Sequence, residues 1–258
     1  MINRRLLFGG AAAVIGAGAL GWTYRNDIMR SRLASFDNTD AVVTDALFAD
    51  APSCALTPAQ DEGPFFVRAP VRSNIIEDRD GILFDLDLRI VKEDGCTPVD
   101  SALVEIWHCD NAGRYSAYPE DMSRSPFETF RLIASRAVDG HVPPFNDKTY
   151  LRGAQATNGE GRVSFRTILP GWYDPRIPHI HVKVFLGDQH QLTTQLYFPD
   201  ELTQAIYAND RRYAPYGLCP YSFANDAVIR EYPDARGLIL QPQDTESGMA
   251  ASALLGIA

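Results

Sequence analysis

Two histidines, His179 and His181, stand two residues apart at the head of the apolar run 180–186 (IHVKVFL). If that run is a strand, positions two apart share one face, so both imidazoles point the same way while Ile180, Val182 and Val184 pack behind them. Such a pair can give a metal ion two ligands. The same spacing also fits two polar residues on a wet strand face, and the pair alone does not decide. Just upstream, PGWYDPR (170–176) opens with a Pro-Gly turn, and Pro175 and Pro178 stiffen the path into the strand. A stiff loop can aim Tyr173 back toward the histidines, with Arg176 three residues before the first of them. On their own, Tyr173 suits a half-buried aromatic with a wet hydroxyl equally well, and Arg176 a solvated charge. Further upstream, HCDNAGRYSAY (108–118) ends a strand-like run and enters an Asn/Gly loop that bears Tyr115.

These side chains need a rigid frame, and the pattern around them predicts one built from strands. Phe84, Leu86, Leu88 and Ile90 alternate with Asp85, Asp87 and Arg89, the period-2 signature of a strand with one wet face. Asp94-Gly95 then offers a turn. Residues 101–108, 161–168, 180–186 and 192–198 are further runs rich in β-branched and aromatic residues. Turn signals at Asn158-Gly159, Pro170-Gly171 and Gly187-Asp188 separate them. Helical pattern is confined to 200–208 and 225–232. Short spaced strands with little helix predict an all-β fold, an antiparallel β-sandwich or barrel, here read as a sandwich with long loops. The weakly patterned stretch 119–150 is long for a connection inside one domain and is a candidate wall of a site.

Taken together, IWHCDNAGRY (106–115), PGWY (170–173), Arg176 and HIH (179–181) resemble the intradiol ring-cleavage dioxygenases, the family of protocatechuate 3,4-dioxygenase, catechol 1,2-dioxygenase and hydroxyquinol 1,2-dioxygenase. The resemblance runs from about Leu56 to Phe198. It implies one mononuclear Fe(III) per chain, held by Tyr115 and Tyr173 as tyrosinates and by His179 and His181. The chemistry agrees, because a phenol of pKa ~10 ionises only beside a strong cation, and two hard anionic oxygens favour a ferric ion. The resemblance further implies that Tyr173 leaves the metal to accept a substrate proton, that Arg176 stabilises negative charge on the substrate, and that Gln195 lies behind the site on the dioxygen side. It also makes Gly63, Pro64 and Phe65 of the GPFF segment (63–66) lining residues of a pocket for a catechol, which O2 would cleave between its hydroxylated carbons to a cis,cis-muconate. Two rivals remain: a non-catalytic extracytoplasmic β-sandwich binding module that displays these aromatics, and a protein that holds another ion through the two histidines alone. His108 suits a structural hydrogen bond better than a metal role, and His141 and His190 fall in loop-like sequence.

The rest of the chain bounds where such chemistry would happen. With 33 Asp+Glu against 24 Lys+Arg the 258 residues carry a net charge of −9, which leaves no basic field for nucleic acid. Residues 1–22 read as a targeting segment. Arg4-Arg5 precedes a weakly apolar run rich in Gly and Ala, which fits a secretory leader, and the arginine pair suggests the twin-arginine export machinery. Cleavage would release the protein outside the cytoplasm, periplasmic or extracellular; retention would tether it to the membrane. Residues 23–52 read as a linker or arm and 53–258 as the sandwich domain. That arm is too short for the helical segment through which catechol 1,2-dioxygenases dimerise, so a homo-oligomer would need another contact. Cys54, Cys96, Cys109 and Cys219 permit disulfides in an exported protein, with three pairings open, and equally suit buried thiols.

Overall fold

The computed structural model describes residues 54–119 and 142–258. Residues 1–22 and 23–52, read above as a targeting segment and an arm, His141 and most of the 119–150 connection lie outside the described residues. Among the described residues eight strands form: β1 (Leu83–Lys92), β2 (Leu103–Trp107), β3 (Arg152–Ala156), β4 (Arg162–Ile168), β5 (His179–Leu186), β6 (Gln189–Tyr197), β7 (Gln243–Asp244) and β8 (Met249–Ile257). They make two four-stranded sheets, in the orders β4-β1-β8-β7 and β3-β2-β5-β6. One apolar core fills the space between them. Phe84, Leu86 and Leu88 of β1, Val163 and Phe165 of β4, and Leu255 of β8 meet Val104 and Ile106 of β2, Val182 and Val184 of β5, and Leu196 of β6.

The sandwich expectation holds, with one departure. Pairings are antiparallel except for β8, which joins β1 in parallel over Phe84–Met249 to Lys92–Ile257. Strand β8 (MAASALLGI) is rich in Ala and has a single β-branched residue, Ile257, so its place is set by packing: Met249, Ala251, Leu255 and Ile257 are buried against the core. Strand β3 (RGAQA) is equally unmarked, and β6 starts early enough to include His190, which bonds the Thr193 hydroxyl at 2.8 Å instead of lying in a loop.

The first helical stretch forms α1 (Asp200–Asn209), opened by Pro199 with Asp200 and Glu201 in its first turn and anchored by buried Thr203 and Tyr207. The second forms only a single 3-10 turn, Ile229–Glu231. Cys54 and Cys96 make a disulfide, whereas Cys109 and Cys219 are buried thiols, so each reading of the cysteines holds for one pair. Among the described residues no helix is long and apolar enough to cross a membrane.

Candidate metal and active site

The outer face of the second sheet is not wet. Cross-strand register sets Trp107 beside His181, His181 beside Gln195, and His179 beside Tyr197. Residues 58–66 lie over this face: Gln60 N donates to the Thr193 carbonyl at 2.8 Å, and the Gln60 side chain accepts from Gln195 N at 3.0 Å and from the Tyr197 hydroxyl at 3.2 Å. Gly63, at φ +73, brings its backbone to His181, where a Cβ would lie 3.5 Å from the ring.

Both tyrosines arrive on loops at one end of the sandwich. Asp110 shapes the first by accepting from Ala112 N and Arg114 N, each at 2.9 Å. Gly113 lets the two loops close on each other. It sits at φ +77 against the Trp172 carbonyl, and an added Cβ would come within 2.3 Å of that oxygen. The second loop turns back at Tyr173, whose carbonyl accepts from Arg176 N at 2.5 Å, across a cis Asp174–Pro175 bond. Ser116, the residue after Tyr115, is fixed by the fully buried Arg152 through its hydroxyl at 2.7 Å and its carbonyl at 3.0 Å.

The four predicted ligands converge. The two Nε2 atoms of His179 and His181 are 3.1 Å apart; the Tyr115 hydroxyl lies 3.3 Å from His181 Nε2 and 3.5 Å from His179 Nε2; the Tyr173 hydroxyl lies 3.5 Å from His179 Nε2. Donors about 2.1 Å from a shared ion, at angles of about 90–115°, stand about 3.0–3.5 Å apart, so the set can hold one cation. His179 Nδ1–H donates to the Ile177 carbonyl at 2.6 Å, which fixes the tautomer and leaves the Nε2 lone pair facing the cluster. His181 is held by stacking on Trp107, ring centroids 4.6 Å apart and planes 4° from parallel.

Burial sets the charge of the polypeptide alone. It pushes the Tyr115 hydroxyl well above the usual phenol range, an effect the neighbouring Tyr173 adds to, and it raises Tyr173 despite the nearby Arg176 cation. It drives both imidazoles well below their usual value, with Arg176 reinforcing it. Two neutral imidazoles and two phenols that ionise only beside a positive charge are a donor set suited to a hard, highly charged cation. Among the described residues no three His, Cys, Asp or Glu side chains group around a cation position; half of the donors here are tyrosine.

The remaining predicted residues surround this cluster. Arg176 is buried; its Nε lies 3.0 Å from both oxygens of Asp226 and its Nη2 donates to Gln195 Oε1 at 2.6 Å. Burial opposes its charge, but Tyr173 and Asp226 outweigh that and raise its pKa. Gln195 spends its amide on Arg176, on the Tyr197 hydroxyl at 3.3 Å and on the Asp61 carbonyl at 2.8 Å. Phe65 packs on Tyr115, Tyr118 and Tyr173 at centroid distances of 4.6, 5.1 and 6.2 Å, and the Pro64 carbonyl accepts from Val142 N at 3.1 Å. Tyr173 also borders a cavity of about 330 Å³ lined by Trp172, Asp174, Tyr216 and Tyr221. His108 is structural: Nδ1 donates to the Cys109 carbonyl and Nε2 accepts from the Thr167 hydroxyl, each at 2.7 Å. Sequence reasoning passed over Trp107, Gln60, Arg152 and Asp226. Trp107 stands inside the motif at 106–115 and Asp226 near the start of the short helical pattern of 225–232, but neither carried a sign of its partner in the sequence.

A family model described as Dioxygenase matches residues 62–212, more than half of the chain. The protocatechuate 3,4-dioxygenase beta chain of Burkholderia cepacia is 34% identical over 120 residues, 43% of each chain. The catechol 1,2-dioxygenase of a Pseudomonas species (strain EST1001) is 30% identical over 172 residues, 62% of this chain and 53% of the relative. The chain belongs to the intradiol dioxygenase family. It spans about half the length of the curated relatives it matches. Among solved structures, the intradiol ring-cleavage dioxygenase of Tetranychus urticae superimposes with a TM-score of 0.67 at 29% identity, covering 79% of this chain and 94% of that one. The matched segment holds all four converging groups and Arg176. Their exposures of 1–8% argue against the binding-module reading, in which the aromatics would be displayed on the surface.

Proposed function

We propose that the protein is a non-haem ferric intradiol dioxygenase that opens a catechol-type ring between its two hydroxylated carbons, incorporating both atoms of O2 to give a cis,cis-muconate-type dicarboxylate. The observation that carries this reading is the convergence of the Tyr115 and Tyr173 hydroxyls and His181 Nε2 on His179 Nε2, each within 3.5 Å of it. These four residues would hold one Fe(III). When bound, the ferric ion would withdraw electron density from a coordinated catecholate, making a ring carbon reactive toward O2.

The chain's own residues would divide the remaining work. Tyr115 is 2% exposed and locked between Phe65 and the Arg152-held Ser116, whereas Tyr173 is 8% exposed and borders a cavity. Tyr173 is therefore the phenolate with room to move, and it would accept a substrate proton at its hydroxyl oxygen. Arg176 supplies a fixed buried cation where the substrate becomes negative. Gln195 would keep Arg176 aimed from the dioxygen side, while Phe65 excludes water and Gly63 and Pro64 line the approach. We read residues 1–22 as a twin-arginine leader that carries the folded enzyme out of the cytoplasm, to meet its catechol there.

Purified protein is expected to carry one iron per chain, to show the red-brown tyrosinate-to-iron band, and to consume O2 with a member of a catechol panel, yielding a muconate. Tyr115→Phe and His181→Ala should each lower turnover by at least about a thousandfold. Protein that stays colourless after iron loading defeats the reading, and unchanged turnover in either variant removes the ligand assignment.

A further inference from the structure

Resting on that functional reading, we infer that Asp226 is a positioning residue of the reaction, a buried carboxylate that acts by fixing the Arg176 guanidinium. It lies beyond the matched segment 62–212, in the C-terminal stretch after α1. Its side chain is fully buried, a place where a carboxylate persists only if its oxygens are satisfied.

Every bond to it comes from an N–H. Oδ1 accepts from Arg176 Nε at 3.0 Å and from Val228 N and Ile229 N at 2.9 Å each; Oδ2 accepts from Arg176 Nε at 3.0 Å and from Ile177 N at 2.7 Å. The last contact reaches the ligand set, because the carbonyl of the same Ile177 accepts from His179 Nδ1 at 2.6 Å. Arg176 is thereby held on two sides, by Asp226 at Nε and by Gln195 at Nη2, and Nη1 takes no part in either. A guanidinium pinned at two of its three nitrogens presents the third in a fixed direction, so charge forming on a substrate meets a donor that need not reorganise.

Asp226→Asn preserves shape but turns an NH2 group toward donors, which should loosen Arg176. Iron content and the colour of the tyrosinate band should stay at the wild-type level, with kcat falling by about 30-fold and KM changing by less than about threefold. The discriminating measurement is a double-mutant cycle read by single-turnover O2 consumption. In an Arg176→Met background Asp226→Asn should cost less than about threefold more, because the residue through which it acts is already gone. An equal loss in both backgrounds, or loss of iron from Asp226→Asn, would overturn the inference and leave Asp226 a purely structural anchor. If Asp226→Asn does not accumulate as folded protein, Asp226→Glu, which keeps the charge and displaces it by one methylene, goes through the same cycle under the same threefold criterion. Wild-type protein that binds iron but opens no catechol defeats the functional reading and this inference together; active wild type with equal losses defeats this inference alone.

Discussion

The two sheets use the same inner-face arithmetic and opposite outer faces. In β1 buried Phe84, Leu86, Leu88 and Ile90 alternate with Asp85, Asp87 and Arg89, which are partly exposed, so one face packs and the other meets water. In β2 all five residues are buried, and in β5 only Lys183 and Leu186 are not. The difference lies in what covers the outer face. Residues 58–66 lie across the second sheet, so Glu105, Trp107, His179, His181 and Gln195 are buried although they point away from the core. Polar groups in such a place need fixed partners. Glu105 takes Arg68 at 2.5 Å, Lys183 pairs with Glu62, and the histidines face the tyrosines. A covered polar face is where this sandwich can hold a charged centre away from water, while the open face of the first sheet serves solubility.

The strongest challenge to this division is a change in the core beneath the first sheet. Phe165 of β4 is 1% exposed and paired across from Leu86. Phe165→Ala should cost about 4 kcal/mol in urea unfolding, while iron stoichiometry and the tyrosinate band of the folded variant persist. Loss of the metal centre along with stability would show that the two sheets do not divide labour in this way.

How much of this was legible follows from the same contrast. Strand β1 announced itself because its outer face is wet, and alternation is visible only when the two faces differ. Strand β5 was found through its β-branched run, and the histidine pair on it through the spacing of His179 and His181 together with the family motif. Strands β3 and β8 carried no signal: RGAQA and MAASALLGI are strands because neighbours impose it, not because their residues prefer it. The four converging side chains lie within a few residues of turns or strand ends, and local motifs capture such positions. Asp226 and Arg152 were out of reach because each acts across the fold, 50 residues from Arg176 and 36 from Ser116 respectively. Gln195 lies beside His181 and bonds Arg176, a partnership that only register reveals.

The seam between the sheets gives a pH-dependent test of intermediate size. His108 follows β2 and bonds Thr167 of β4, and burial lowers its pKa to about 4, an effect its bond to Cys109 opposes. Because the folded value lies below the unfolded value of about 6.5, the contribution of neutral His108 is fully present above pH 6.5 and is lost as pH falls toward 4. The shift corresponds to about 3 kcal/mol at most. Asp87 and Asp110, raised by burial, act in the opposite sense over part of that range, so the measurement is a difference. Between pH 7.5 and 4 the wild type should lose about 3 kcal/mol more unfolding free energy than His108→Gln. Parallel pH profiles for the two proteins would mean that His108 is protonated or hydrated in the folded state.

The smallest effect is expected where the first sheet faces water. Asp85 accepts two bonds from Arg166, at 2.8 and 2.9 Å, in the same Asp–Arg chemistry as Asp226 with Arg176. The surroundings differ: the Arg166 and Asp85 side chains are 53% and 35% exposed, those of Arg176 and Asp226 7% and 0%. Water screens the outer pair and offers each partner hydrogen bonds when the other is removed. A double-mutant cycle with Asp85→Asn and Arg166→Gln should therefore give a coupling below about 1 kcal/mol, shrinking further in 1 M salt, where screening acts within about 3 Å. A coupling above about 2 kcal/mol that survives salt would show that this face is shielded like the one that carries the site, and the distinction between the sheets would have to rest on residue type rather than on cover.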